Sequence, residues 1–162
     1  MSNKSIKTLK AIVIILAVCV FLFEAVGIYP LSLRYAFRVP SYESIRVASL
    51  VFLYITSIPF YIALFQAVRI CDRIIENKPF SKANIYYFKI ARNCAYPEAI
   101  FYLLGAVAAY FVTATVGTPA ITLVVAMVIV AFCALIVGLA CSVMTALFKR
   151  ANEIQEENAM TI

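Results

Sequence analysis

The stretch RICDRIIENKPFSKANIYYFKIARNCAY, residues 69–96, decides the fold. It is the only long polar interval in the chain. It carries Arg69, Arg73, Lys78, Lys82, Lys89 and Arg92, and apolar runs long enough to cross a bilayer flank it on both sides. At its centre Asn77-Lys78-Pro79-Phe80-Ser81 reads as a turn followed by a helix start, because proline presets the turn and serine caps helices well.

The 162 residues are 65% hydrophobic with a mean hydropathy of +0.97. No soluble domain of this size has a core that could hide so much apolar surface. Only 14% of residues are charged, and they cluster. These facts predict a single membrane domain, residues 1–162. The net charge of +6 then belongs to span-flanking residues facing anionic lipid, not to direct nucleic-acid binding.

Outward from the polar interval, four spans follow from runs long enough for a hydrocarbon layer of roughly 30 Å. They are residues 11–28, 47–68, 99–116 and 120–148. The first resembles a signal peptide with Ala25-Val26-Gly27 as its small-residue site, but Glu24 stands just before that site. Tyr29 to Arg46 reads as a loop with Pro30 and Pro40, and its aromatics suit the headgroup region. Pro59 should kink the second span. Gly117-Thr118-Pro119 reads as a tight turn, with Thr118 as cap and Pro119 at the first helical position. The fourth span would be roughly 43 Å long and must tilt or project.

Basic residues crowd one side. Lys4, Lys7 and Lys10, the six of residues 69–96, and Lys149 with Arg150 all fall there, against Arg34, Arg38 and Arg46 on the other. The positive-inside rule makes the crowded side cytoplasmic. The expected architecture is an all-α four-helix membrane bundle. Both termini are cytosolic, with a helical cytoplasmic loop over 69–96 and a tail over 149–162.

After Ser81, the residues Ile85, Phe88, Ala91 with Arg92, and Ala95 recur at helical spacing. This helix should run on into the third span, with Pro97 marking a kink or break at the membrane surface. This amphipathic helix suits either a cytosolic partner or the lipid surface. Small residues recur every fourth position as Gly105, Ala109 and Thr113, and as Ala134, Gly138, Ser142 and Ala146. Such rows let backbones approach closely in lipid. They pair the third span with the fourth, or alternatively form a homodimer face. Glu24 is an intramembrane acid and so a functional candidate. Arg34 or Arg38 could neutralise it, and no second buried acid completes a relay. Glu98 reads as a solvated carboxylate at the cytoplasmic boundary.

Catalytic signatures are missing from the sequence. It has no histidine, no G-x-S-x-G motif and no phosphate-cradling glycine loop. Its five cysteines show no C-x-x-C and read as reduced small hydrophobes, with no metal or cofactor expected. The expectation is therefore not an enzyme.

Two segments carry a family resemblance: Glu76-Asn77-Lys78-Pro79-Phe80-Ser81-Lys82-Ala83-Asn84 with Phe88-Lys89-Ile90-Ala91, and Leu147-Phe148-Lys149-Arg150-Ala151-Asn152-Glu153 with Glu156-Glu157-Asn158-Ala159-Met160-Thr161-Ile162. The chain resembles the YoaS-like family of small bacterial four-span membrane proteins, a domain of unknown function. Its members share the Pro-Phe-Ser turn and a glutamate-rich Leu-Thr-Ile ending, with Met160 here in place of leucine. They are often encoded beside a small helix-turn-helix regulator. The resemblance implies a membrane protein that holds such a cytosolic regulator. The expected partner site comprises Pro79, Phe80, Ser81, Asn84, Phe88, Glu153, Glu156, Glu157, Thr161 and Ile162. The tail either folds back on Lys82, Lys89 and Arg92 or presents itself to a basic partner. The alternative is a small-molecule or lipid-binding protein, a transporter subunit or immunity protein, working from a cavity near Glu24 and Pro59.

Overall fold

The computed structural model describes residues 3–38, 42–76, 81–115 and 121–160. The expected turns at Asn77–Phe80 and Gly117–Pro119, and the partner residues Pro79, Phe80, Thr161 and Ile162, lie outside the described residues. The helices are α1 (Asn3–Leu22), α2 (Ile28–Arg38), α3 (Glu43–Ile75), α4 (Lys82–Thr115) and α5 (Ile121–Met160). A π-helical stretch, Phe23–Gly27, joins α1 to α2. Four helical rods are long and apolar enough to cross a membrane.

Residues Ile28–Arg38 are helical, which corrects the loop expected from Tyr29. The reason lies in the wide turn before them. The Ile28 N–H bonds to the Phe23 carbonyl, five residues back, rather than to Glu24. This register shift lets the rod pass Gly27 and Pro30, the two residues that read as breakers. The Glu24 carbonyl, which Ile28 would serve in a regular α-helix, accepts instead from the Tyr54 hydroxyl at 3.0 Å. As expected, the amphipathic segment runs on into the third span as one rod, with Pro97 inside α4. The tail does not fold back. It continues α5 as helix through Met160.

The main packing contacts run from each helix to the next. α1 lies on α3, α3 on α4 and α4 on α5, with α4–α5 the most extensive pairing. Cross-helix contacts give the sense of each pair. Lys10 meets Asp72, and Glu24 meets Tyr61. Thr56 meets Tyr102, and Arg69 lies over Tyr87. Gly105 sits against Met127, Tyr96 meets Ser142, and Lys82 meets Glu156. Numbers rise on one helix as they fall on the next, so every neighbouring pair is antiparallel. The start of α1, the end of α3, the start of α4 and the end of α5 therefore share one end, the basic one.

The α4–α5 seam follows a seven-residue repeat. Among the described residues Ala131, Gly138 and Thr145 are the buried positions of α5, seven apart. A row spaced by four drifts around the helix, whereas a left-handed pair keeps a 3.5-residue period in contact. Hence Ala146, fourth in the expected row, faces outward, while Ala134 and Ser142 are half-buried. In α4, Gly105 and Ala109 are half-buried and Thr113 is buried. Apolar burial drives little helix association in lipid, so close packing of small residues is what holds this pair.

Candidate functional site

The basic end is where polar side chains meet across helices. Ser81 stands just before α4. The Asn84 N–H bonds to the Ser81 carbonyl at 3.0 Å and approaches the Ser81 hydroxyl at 3.4 Å, a long capping contact. From this start α4 runs beside the end of α5. Phe88 meets Phe148 with ring centroids 5.2 Å apart. Lys82 Nζ lies 2.9 Å from Glu156, which also accepts from Asn152 at 3.1 Å. Lys149 faces Glu153 at 3.7 Å on the same helix. Between the two helices lies an open groove of about 340 Å³. Lys82, Tyr86 and Lys89 line it from α4, with Lys149, Glu153 and Glu156 from α5.

Of the expected partner residues, Ser81, Phe88, Glu153 and Glu156 come together at this end, and Glu157 is exposed beside them. Asn84 does not belong with them. It is 0% exposed, so it is a packing residue and no partner can reach it. Its neighbours one position either side, Ala83 and Ile85, are half-buried, so the helix turns only this position fully inward. Of the cations expected to meet the tail, Lys82 pairs with Glu156, Lys89 lines the groove, and Arg92 turns to Asn93 at 3.2 Å. Sequence reasoning missed Tyr86 and Asn152, which also line the groove. Their signal was available, because Tyr86 and Lys89 lie three apart and share a helix face.

The Lys82 ammonium holds the Glu156 carboxyl below the usual carboxylate range, with Asn152 assisting. A carboxylate with a lowered folded pKa stabilises only while ionised. Its contribution is complete above the ordinary glutamate value of about 4.3 and disappears as pH falls through the lowered value. Acidification from neutrality should therefore release the ends of α4 and α5 before the spans. Hydrogen exchange across residues 149–157 checks this. Equal protection there at pH 7 and pH 3 would show that Lys82–Glu156 holds nothing together.

The intramembrane acid is not placed as expected either. Glu24 is 8% exposed and sits in the π-helical stretch. Its carboxylate accepts from the Tyr61 hydroxyl at 2.9 Å, not from Arg34 or Arg38. Glu98 is also only 8% exposed, which corrects both the solvated carboxylate and the missing second acid. The five cysteines are free thiols. Among the described residues no group of three or more His, Cys, Asp or Glu side chains gathers to hold a metal.

No solved structure matches the chain. It is similar to an uncharacterized membrane protein, YoaS, of Bacillus subtilis (strain 168), 33% identical over 148 residues that make up 91% of this chain and 88% of the relative. A family model described as a protein of unknown function, DUF2975, matches residues 31–162, a range that takes in α3, α4, α5 and the groove between the last two. With its four apolar rods and a full-length membrane relative, the chain is a membrane protein and belongs to that DUF2975 family of unknown function.

Proposed function

We propose that this is a non-enzymatic regulatory protein of the bacterial plasma membrane. It holds a cytosolic helix-turn-helix regulator at the groove between the start of α4 and the end of α5. The carrying observation is the groove itself: two helices run on together beyond their apolar lengths and present lysines and glutamates around Ile85 and Tyr86. A pair of helices that served only to cross the bilayer needs no such extension. Both ends and the groove are assigned to the cytosol because the basic side of short loops is retained there. An acidic helix end is repelled by anionic lipid, so the groove stays available to a protein.

Exposed ion pairs such as Lys82–Glu156 are weak because both charges stay hydrated, so a partner can displace them at small cost. The test is truncation. Removing Glu153 to Ile162 takes away one wall of the groove and leaves residues 121–152, which still exceed the roughly 20 residues a span needs. The truncated protein should keep its thermal midpoint in detergent within a few degrees and lose co-purification of the regulator. Capture at full strength by the truncated protein would exclude the groove as the docking site.

A further inference from the structure

The α4–α5 pair carries a second groove, of about 320 Å³, farther along the helices than the one at the basic end. Ile100 and Leu103 wall it from α4, with Phe132 and Leu135 from α5. Ala99 and Ala131, both buried, make its floor. Apart from the Tyr96 hydroxyl, its lining side chains are apolar. The two grooves are one feature at two levels. On α4, Tyr96 and Leu103 stand fourteen positions after Lys82 and Lys89, which line the first groove. On α5, Phe132 and Leu135 stand twenty-one positions before Glu153 and Glu156. Fourteen and twenty-one are whole heptads, so in a left-handed pair both grooves open on the same side. Arg92 and Asn93 fall between them on that side. Arg92 is seven positions from Ile85 and from Ala99, and Asn93 is seven from Tyr86 and from Ile100.

The polar and apolar parts meet at Arg92. Its guanidinium donates to the Asn93 side-chain oxygen at 3.2 Å, which turns the charge toward the open side. One turn farther from the basic end, the Tyr96 hydroxyl and Ser142 Oγ lie 3.0 Å apart across the seam. One turn nearer to it stands Lys89, which is exposed. Among the described residues neither Arg92 nor Lys89 forms an ion pair. The groove's own carboxylates, Glu153 and Glu156, are engaged by Lys149 and Lys82. From Arg92 to Leu103 is eleven residues, or about 16 Å of helix. That is about half of a hydrocarbon layer of roughly 30 Å, the depth of one leaflet.

We propose that this side of α4 and α5 binds one anionic phospholipid from the leaflet at the basic end. Its phosphate sits on Arg92, with Lys89 beside it, and one acyl chain lies in the apolar groove. The walls at that depth face hydrocarbon, so a chain enters without desolvating any polar group. A guanidinium suits the phosphate because its fork of donors meets two oxygens at once. Two cations without carboxylate partners favour a headgroup of net negative charge over a zwitterionic one. A second copy of this chain is the competing occupant. Copies in one membrane that pair about a two-fold axis along its normal meet level with level. Arg92 and Lys89 would then face their own counterparts, and like charges so placed repel. The lipid site does not depend on what docks at the basic end, because the tail takes no part in it.

The test titrates the full-length protein, delipidated in detergent, with phosphatidylglycerol or with phosphatidylcholine of the same acyl chains. Native mass spectrometry counts the bound lipid, and the thermal midpoint follows its saturation. One phosphatidylglycerol should bind, severalfold tighter than phosphatidylcholine. Arg92→Gln should weaken phosphatidylglycerol about tenfold and so remove the preference. Leu103→Trp, which fills the groove, should weaken both lipids. Lys7→Gln, at an exposed cation of α1 outside the site, should change neither. The protein cut before Glu153 should bind as wild type does, which separates this site from the docking site; loss of the lipid there would tie it to the tail and overturn the proposal. Equal affinity of the wild type for the two lipids overturns it, as does an unchanged preference in Arg92→Gln. Undiminished binding in Leu103→Trp, or in Ile100→Trp should that variant not fold, overturns it equally. A wild-type dimer that Leu103→Trp turns into a monomer would give the groove to a second copy instead.

Discussion

Gly138→Leu should unfold the α4–α5 pair in detergent at a markedly lower temperature than wild type, with a loss of roughly 3 kcal/mol, near the top of the usual range for overpacking. A Cβ at Gly138 would lie 2.9 Å from the Tyr96 ring. That ring cannot swing aside freely, because the Tyr96 hydroxyl lies 3.0 Å from Ser142 Oγ. Ser142 in turn donates to the Gly138 carbonyl at 3.0 Å. One glycine, one ring and one hydroxyl thus fix how closely the two backbones approach. A leucine must push them apart along the most extensive contact in the protein. Gly138→Ala should cost less, about 1 kcal/mol. Tyr96→Ala should relieve part of the leucine penalty, because neighbours that share a contact are not additive. Thermal or denaturant unfolding of wild type, the three single variants and the Gly138→Leu, Tyr96→Ala double variant measures it. Additive losses would show that Gly138 and Tyr96 do not press on each other.

The spans were legible because each depends only on a run of apolar residues and its flanking charges. What the sequence hid were places where one helix alters another. Gly27 and Pro30 carry the local signals of a loop, and only the widened turn with the Tyr54 hydroxyl makes a helix of them. Glu98 follows Pro97 and stands close to Arg92, so by sequence it looks like a boundary residue. Its burial comes from α3, whose antiparallel register brings Thr56 and Pro59 to its level. The small-residue rows showed that α4 and α5 pack closely, but not the seven-residue period on which they do so. The groove at the basic end was half legible. Its charges are plain in the sequence, while the helical continuation through Met160 that aligns Glu156 with Lys82 is a property of the pair.

Asn84→Asp should be the most damaging conservative change at the basic end. Asn84 looks like an ordinary residue of a polar helix start, yet it is the one described side chain fully enclosed by its neighbours. It stands in the first turn of α4, at the same end of the protein where Lys10 of α1 reaches Asp72 near the end of α3. Ile6, Ile70 and Cys71 are also buried and belong to the converging ends of α1 and α3. Aspartate has nearly the same shape but adds a charge and loses the amide donors. Burying a charge there costs more than the amide hydrogen bonds it replaces, so a loss of about 2–4 kcal/mol is expected at neutral pH. The penalty belongs to the ionised form, so it should shrink as pH falls and the new carboxyl takes up a proton. Asn93→Asp, on an exposed position of the same helix, should cost less than about 0.5 kcal/mol. Unfolding midpoints of both variants at pH 7.5 and pH 5 separate the two cases. An Asn84→Asp protein as stable as wild type at pH 7.5 would mean that water reaches this position.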